Sequence, residues 1–337
     1  MYFCSVKLPD KLHKKIAERK AKNAFRKLGL NTDLIDFSSN DYLGFSKSKT
    51  IFENTHQYML DTGICENGAT GSRLLSGNYS LYAQVEQELS FYHNSEAALL
   101  FNSGYSANVG FFSAVLQKGD VIFYDEFIHA SIRDGVQLSH ASSYKFRHND
   151  LQDLAKRIAN IKGSLKYANA TLYVVTESVF SMDGDTPDLQ KIAAICRENS
   201  AYLIVDEAHA LGVFGQNGLG LVQKLELEEK VFARIATFGK ALGCHGAVVL
   251  GSKELISFLV NFSRSFIYTT GISPHALATI KIAYQFLRGA EGVQEMQKLR
   301  CNIQHFNSEV ARLGLSFIPS ASAIQCTVIQ GTTHTKK

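Results

Sequence analysis

Short apolar segments that alternate with helical patterns most constrain how this 337-residue chain folds. Five of these segments have the length and composition of buried strands. They are residues Ala97–Phe101, Asp120–Tyr124, Thr171–Val175, Tyr202–Val205 and Ala247–Leu250. Segments that are apolar on both faces are typical of parallel strands that helices cover on both sides. The sequence therefore predicts an α/β fold with a mainly parallel sheet flanked by helices.

Apolar residues at helical spacing predict helices between and after these segments. The predicted helices cover residues 10–28, 80–92, 106–116, 150–160, 188–198, 274–287 and 293–313. Gly29 is expected to end the first helix, because glycine is favoured just beyond a helix end. Residues 35–44 are predicted to form a short strand that runs into a polar turn, and residues 331–337 a polar tail.

Charge and composition exclude several classes of protein. A hydrophobic fraction of 45% excludes wholesale disorder, and a net charge of +4 is too small to favour nucleic acid. No apolar stretch approaches the roughly 20 residues of a membrane span, and residues 1–7 lack the pattern of a signal peptide. The six scattered cysteines favour reduced thiols over disulfides or a zinc site. We therefore expect a cytoplasmic protein with neither nucleic acid nor membrane as a partner.

Residues that follow each predicted strand are the candidates for function, because ligands of open parallel sheets bind beyond the carboxyl ends of the strands. Gly104 and Tyr105 lie among small residues that open a helix, where free backbone N–H groups can hold a phosphate. A plain strand-to-helix turn capped by serine is the alternative. His129 follows the next strand and suits stacking on a flat ring, acid–base work or simply a structural hydrogen bond.

Two further strand ends carry polar residues. Residues 176–185, which include Ser181, suit either a polar ligand or a turn that satisfies its own backbone. Asp206 ends an apolar strand, where a carboxylate is costly unless a cation such as a protonated pyridine nitrogen meets it. His209 follows closely enough to reach the same ligand. A buried ion pair or a metal is the alternative, although Asp and His at this spacing lack the further ligands that a metal needs.

Lys240 lies in residues 237–243, which follow the strand-like residues 233–236 and are otherwise poor in charge. Burial in such a setting lowers the pKa of a lysine amine and makes it a nucleophile toward an aldehyde, whereas a solvated surface lysine is the alternative. Together these residues offer an amine, a carboxylate, two imidazoles and a phosphate cradle. That set is what a pyridoxal phosphate enzyme needs, so we predict this cofactor and no metal.

Several long motifs in this order resemble the α-oxoamine synthase family of pyridoxal phosphate enzymes. The motifs are residues 37–44, 71–77, 179–185, 206–209 and 237–240, and the likeness runs from about Lys15 to Gln325. The resemblance implies the fold type I, aspartate-aminotransferase-like architecture of pyridoxal phosphate-dependent transferases. It also implies a large cofactor-binding domain over 46–280 between an N-terminal helix and strand segment, 1–45, and a partial C-terminal small domain, 281–337.

The resemblance assigns the cofactor residues one by one. It implies that Lys240 forms the Schiff base, that His129 stacks on the ring and that Asp206 pairs with the ring nitrogen. His209 and Ser181 would contact the ring hydroxyl. The remaining cofactor residues implied by the family are Gly104, Tyr105 and Thr237, the last near the phosphate.

The resemblance also implies partners and a reaction. Family members are homodimers with a shared site, so Thr269 or Thr270 would reach the phosphate of the partner subunit, while Arg26 and Asn40 would lie at the substrate. The branch that this chain resembles condenses L-alanine with a pimeloyl thioester of coenzyme A or acyl carrier protein, and the product is 8-amino-7-oxononanoate.

Two other activities stay open at the level of sequence. One is glycine C-acetyltransferase or another α-oxoamine synthase, since the shared motifs do not separate these enzymes. The other is a non-catalytic, cofactor-binding pseudo-enzyme. In the family, the small domain supplies an arginine for the amino-acid carboxylate. We expect residues 281–337 to be a truncated small domain, and they offer no candidate for this arginine, which favours the pseudo-enzyme.

Overall fold

The computed structural model describes residues 7–29 and 34–329. The chain divides into two compact units, one formed by residues 1–38 with 326–337 and the other by residues 39–325. The predicted polar tail and residues 1–6, where no signal peptide was expected, lie outside the described residues. The first unit contains helix α1, Asp10–Ala21, which ends earlier than predicted because Asn23 adopts a left-handed backbone conformation, with φ of 50°.

A single sheet of seven strands organises the described part of the second unit. The strands are β1 (Ala97–Phe101), β2 (Val121–Asp125), β3 (Ser142–Phe146), β4 (Leu172–Glu177), β5 (Ala201–Asp206), β6 (Ala233–Thr237) and β7 (Ala247–Gly251). Their order across the sheet is β1-β7-β6-β5-β4-β2-β3. Only β7 runs antiparallel to its neighbours. The prediction of a mainly parallel α/β sheet is therefore confirmed.

Helices connect and cover these strands. They are α2 (Lys49–Asp61), α3 (Ser80–Tyr92), α4 (Gly104–Val115), α5 (Ala130–Leu138), α6 (Leu151–Lys162), α7 (Leu189–Asn199), α8 (Leu221–Lys224), α9 (Lys253–Phe262), α10 (Arg264–Ile267), α11 (Pro274–Arg288) and α12 (Ala290–Arg312). Across the described residues, no helix has both the length and the apolar character needed to cross a membrane.

Adjacent residues of β5 show why the strands are apolar throughout. Ile204 packs with Phe112 of α4 on one face of the sheet. Leu203 and Val205 face the other side and pack with Ile158 of α6. Helices therefore bury both faces, as period-2 strand geometry requires in a covered parallel sheet.

The strand predicted within residues 35–44 is wrong. This segment is a series of bends and turns, in which the Asp36 side chain accepts a hydrogen bond from the Ser38 amide, at 2.9 Å. Ile35 and Phe37 are 84% and 94% exposed. A strand needs a hydrogen-bonded partner and a face to bury, and local turns of this kind compete with it.

His148 connects strand β2 to the loop that follows β4. Its Nδ1 lies 2.9 Å from the Asp125 carboxylate and its Nε2 lies 2.9 Å from that of Asp185. Burial alone would lower the pKa of His148, but these two carboxylates raise it to about 10. Phe127 stacks on the ring at 4.4 Å. An imidazolium that donates a hydrogen bond to each of two carboxylates thus anchors the loop that contains Ser181.

A buried ion pair joins β5 to β6 directly behind the end of the sheet. Arg234 of β6 donates to Glu207 from Nε and Nη2, at 3.0 and 2.7 Å. It also donates to the carbonyl oxygens of His93 and Leu219. The other Glu207 oxygen accepts the amide of Leu221, at 2.6 Å. Each nitrogen of the Arg234 guanidinium therefore has a partner, and such hydrogen bonds are the condition for burying an ion pair.

Replacing Arg234 by methionine is expected to lower the free energy of unfolding by about 3 to 5 kcal/mol, because the Glu207 carboxylate stays buried without its cation. Urea unfolding followed by circular dichroism measures the change. Arg312→Met, which breaks an exposed ion pair with Glu309, is the control and should change stability little. Equal losses in the two variants would contradict this role of Arg234.

His148→Gln is expected to cost about 2 to 3 kcal/mol at pH 6, since hydrogen bonds to charged groups contribute most. A folded-state pKa above the unfolded value means that this stabilisation is complete below the unfolded pKa of about 6.5 and disappears as the pH rises through about 10. The difference between wild type and variant should therefore shrink from pH 7 to pH 10 in urea unfolding. The exposed His140→Gln serves as the control, and a pH-independent deficit at His148 would refute the ion pairs.

Candidate active site

Four strand ends and one helix N-terminus enclose a cavity of about 170 Å³. The strands β2, β4, β5 and β6 bring their carboxyl ends to one edge of the sheet, and α4 begins beside them. The lining residues are Gly104, Tyr105, Asn108, His129, Ser131, Glu177, Asp206, Ala208, His209, Ile235, Ala236, Thr237 and Lys240. The structure thus places seven of the predicted site residues together: Gly104, Tyr105, His129, Asp206, His209, Thr237 and Lys240.

Asp206 is held by hydrogen bonds on both of its carboxylate oxygens. The Ala208 amide donates to Oδ1, at 2.9 Å, and Asn108 Nδ2 donates to Oδ2, at 2.8 Å. The same Asn108 nitrogen lies 3.0 Å from the hydroxyl of Ser131. Asp206 is only 5% exposed, so its side chain is fixed in one orientation at the floor of the cavity.

Glu177 is a second buried carboxyl group beside Asp206. The two residues are register partners at the ends of β4 and β5, and Glu177 Oε1 accepts the backbone amide of His129, at 2.5 Å. Burial raises the pKa of Glu177 to about 8, and the charge of Asp206 acts in the same direction. Near pH 7 Glu177 therefore mostly carries a proton, because two carboxylates so close do not both ionise readily.

Lys240 is half-buried, and its Nζ lies 2.7 Å from His209 Nε2. Burial lowers the pKa of the Lys240 amine, against the opposing influence of Asp206 and Glu177. Burial also lowers the pKa of His209 to about 2, with Lys240 contributing. The cavity therefore presents an amine with a reduced proton affinity beside an imidazole that stays neutral.

His129 combines a structural and a cavity-facing role. It is the N-cap of α5, where its Nδ1 accepts the Ser131 amide, at 3.2 Å. Burial lowers the pKa of His129. Because Nδ1 acts as an acceptor, the ring is neutral with its proton on Nε2, and the exposed part of the ring borders the cavity.

One end of the cavity has the character of an anion site. Gly104 and Tyr105 begin α4, where first-turn amides have no acceptor within the helix. A methyl group added at Gly104 would lie 3.3 Å from Cβ and 3.4 Å from Oγ1 of Thr237. The bare backbone of Gly104 therefore leaves room beside Thr237 that any side chain would fill.

Four predicted site residues lie outside this lining. Asn40 connects to it through the Tyr42 hydroxyl, which donates to Asn40 Oδ1, at 3.1 Å. The Thr270 carbonyl accepts from Asn102 Nδ2, at 2.9 Å. Ser181 lies on the loop that His148 anchors, and Arg26 is an exposed residue of the first unit. Their assignment to cofactor or substrate stays a prediction.

Sequence reasoning did not single out Asn108, Glu177, Ser131 or Tyr42. Asn108 and Glu177 carried a usable signal, because a polar residue inside an apolar helix and a carboxylate at a strand end are both costly without partners. Ser131 and Tyr42 carried none, since a serine in the first turn of a helix and a tyrosine in a turn are ordinary.

The residues present fit pyridoxal phosphate. A cavity of about 150 Å³ accommodates benzene, so the volume of about 170 Å³ admits one six-membered aromatic ring. Lys240 offers an amine for an aldehyde, Asp206 a fixed carboxylate for a pyridinium, and the start of α4 a place for a phosphate beside Gly104.

Comparison with known proteins agrees with this chemistry. The family model described as aminotransferase class I and II matches residues 32–335. An 8-amino-7-oxononanoate synthase of Emericella nidulans is 39% identical over 316 residues, which cover 91% of this chain and 77% of that protein.

Two solved structures share the fold. A serine palmitoyltransferase from S. paucimobilis, solved with bound PLP and myriocin, has a TM-score of 0.84 at 25% identity. The alignment covers 96% of this chain and 86% of that protein's chain. An 8-amino-7-oxononanoate synthase from Francisella tularensis has a TM-score of 0.71 at 30% identity, covering 86% and 79%.

Proposed function

Because this chain belongs to the aminotransferase class I and II family and is a pyridoxal phosphate-dependent acyltransferase of the α-oxoamine synthase type, we propose that it serves biotin biosynthesis. The reaction we propose condenses L-alanine with a pimeloyl thioester and releases CO₂ and the free thiol. The product is 8-amino-7-oxononanoate. The relative from Emericella nidulans that carries this activity in its name supports the proposal.

One observation carries the proposal: a half-buried lysine amine and a fixed, buried carboxylate share one small cavity. Lys240 lies 2.7 Å from a neutral imidazole, and Asp206 is held by Asn108 and Ala208. An amine of lowered pKa beside a permanently oriented carboxylate suits the capture of an aldehyde whose ring nitrogen must stay protonated.

We assign the cofactor contacts to residues of the cavity. Lys240 would hold the aldehyde carbon and Asp206 the ring nitrogen. His129 would lie against the ring and His209 near its hydroxyl, together with Ser181 if the anchored loop reaches it. Bound there, pyridoxal phosphate supplies an electron sink for charge that develops at the Cα of the amino acid.

The protein's own groups then move protons and orient the substrate. Nζ of Lys240 would be the base that takes the Cα proton of the amino acid. Asp206 would stay directed at the ring nitrogen, because hydrogen bonds from Asn108 and Ala208 hold both of its carboxylate oxygens. The neutral state of His209 prevents a second positive charge beside the amine.

We further propose a homodimer with a shared site. Thr270 would contribute to the phosphate site of the partner subunit, and Gly104, Tyr105 and Thr237 would hold the same phosphate from within the chain. The exposed aromatic rings of Tyr105 and Tyr268, 54% and 72% accessible, are consistent with a surface that a second copy covers. Arg26 would lie near the acyl substrate, and Asn40 would line the site.

Lys240→Ala is expected to abolish covalent capture of pyridoxal phosphate, because no other amine lines the cavity among the described residues. Borohydride reduction of the cofactor-loaded protein followed by peptide mass spectrometry should locate the adduct on Lys240 in wild type and find none in the variant. The exposed Lys224→Ala serves as the control. An adduct on another lysine in wild type would overturn the assignment.

Substrate choice tests the reaction itself. With the loaded wild-type protein, L-alanine and pimeloyl thioester should release CO₂ and thiol, while glycine with acetyl thioester should react far more slowly. Thiol release and mass spectrometry of the product measure both. Preference for glycine and the acetyl donor would favour glycine C-acetyltransferase, and cofactor binding without turnover on either pair would favour a pseudo-enzyme.

A further inference from the structure

A chain of three hydrogen bonds leads from the protein surface to the Lys240 amine. The Tyr42 hydroxyl donates to Asn40 Oδ1, at 3.1 Å, and lies 2.7 Å from His209 Nδ1. His209 Nε2 lies 2.7 Å from Lys240 Nζ. Asn40 is exposed, whereas His209 is only 5% exposed. The chain of hydrogen bonds therefore runs from solvent into the wall of the cavity.

The protonation states along this chain follow from burial. Burial raises the pKa of Tyr42 well above its ordinary value, so its hydroxyl keeps its proton. Burial and the neighbouring Lys240 lower the pKa of His209 to about 2, so its ring is neutral. A neutral imidazole has one N–H donor and one bare nitrogen acceptor.

Counting protons then determines which nitrogen of His209 carries the hydrogen. Tyr42 has one hydrogen, and of its two contacts only the one to Asn40 Oδ1 requires it, because that oxygen can only accept whereas His209 Nδ1 can donate or accept. The contact between Tyr42 and His209 therefore uses the N–H of Nδ1 as its donor. Nε2 is left as an acceptor, and among the described residues its hydrogen-bond partner is the Lys240 nitrogen.

This tautomer has a consequence for the reactivity of Lys240. Both the ammonium and the free amine of Lys240 can donate an N–H to Nε2, so the lone pair of the free amine points away from His209. In the opposite tautomer Nε2–H would donate to that lone pair and occupy the electrons that must attack an aldehyde.

We propose that Tyr42 is a positioning residue: held by Asn40, it fixes the Nδ1–H tautomer of His209, which in turn keeps the Lys240 lone pair available to the cofactor aldehyde. The inference rests on the proposed function, since it takes Lys240 as the amine that captures the cofactor. In that capture the C=O bond of the aldehyde is replaced by a C=N bond to Nζ, and the oxygen leaves as water with the two hydrogens of the neutral amine.

Three other groups surround this chain of hydrogen bonds. The Asp206 carboxylate and the Glu177 carboxyl group face Lys240, and His129 faces His209. None of the three lies within the hydrogen-bond chain, so an effect of a Tyr42 substitution on the imidazole is attributable to the lost hydroxyl.

The tautomer is measured directly by ¹⁵N NMR of the cofactor-free protein labelled in histidine, with His209→Asn used to assign the signal. In wild type, Nδ1 of His209 should show a protonated-type shift and Nε2 an unprotonated-type shift. In Tyr42→Phe this distinction should weaken or reverse. A protonated Nε2 in wild type would overturn the proposal.

The kinetic arm follows the growth of visible absorbance after pyridoxal phosphate is added to cofactor-free protein. Tyr42→Phe should capture the cofactor about tenfold more slowly, as expected for one lost orienting hydrogen bond. Tyr58→Phe removes a hydroxyl that donates to Gln84 and takes no part in this chain of hydrogen bonds. This control variant should capture the cofactor at the wild-type rate. Equal rates in Tyr42→Phe and wild type would overturn the proposal.

Asn40→Ala is the second variant, because Asn40 is exposed and its loss does not threaten folding. Without that acceptor, the Tyr42 proton is free to point at Nδ1, so the Nε2–H tautomer should rise and capture should slow. An unchanged tautomer would refute the role of Asn40 and with it the proposal. Failure of the proposed function looks different: borohydride would then fix the cofactor to a lysine other than Lys240.

Discussion

The buried ion pair between Glu207 and Arg234 is the interaction on which the placement of the site depends. Glu207 follows Asp206 directly, and its carboxylate receives Arg234 from β6 and the Leu221 amide from α8. Arg234 in turn holds the carbonyl of His93, which follows α3. Three segments distant in sequence therefore meet immediately behind the strand end that presents Asp206. Removing one partner of such a pair is strongly destabilising, because the other charge then stays buried without compensation.

The electrostatics of the cavity follow from the same arrangement. Asp206 and Glu177 end adjacent parallel strands, so their carboxyl groups lie side by side, and both residues are buried. One proton on Glu177 relieves their repulsion, and Lys240 faces both. An amine in this position keeps a lowered pKa because burial outweighs the attraction of the carboxylates. The cavity is thus prepared for a ligand that brings a cationic ring nitrogen and an electrophilic carbon.

Much of the sheet and of the cavity lining could be predicted from sequence, because short runs of neighbouring residues indicate them. Apolar runs predicted β1 within its observed bounds, and the residues after each run predicted Asp206 and Lys240 at the carboxyl edge. Strand β3 was missed because, at the sheet edge, it alternates polar residues such as Ser143 and Lys145 with partly buried ones. Glu177 was not singled out because its importance lies in its neighbour across the sheet, which periodicity does not show.

The contact between residues 42–46 and the Lys240 loop is the least predictable part of the site and explains why Tyr42 belongs to it. Gly243 has φ of +60°, and a side chain there would collide with the backbone of Ser46. A side chain at Gly212, whose φ is +78°, would strike Ala241 and Leu43. Only glycine allows both approaches. The two glycines therefore let the turn that contains Tyr42 pack directly on the loop that contains Lys240, and the hydrogen-bond chain through His209 exists because of that proximity.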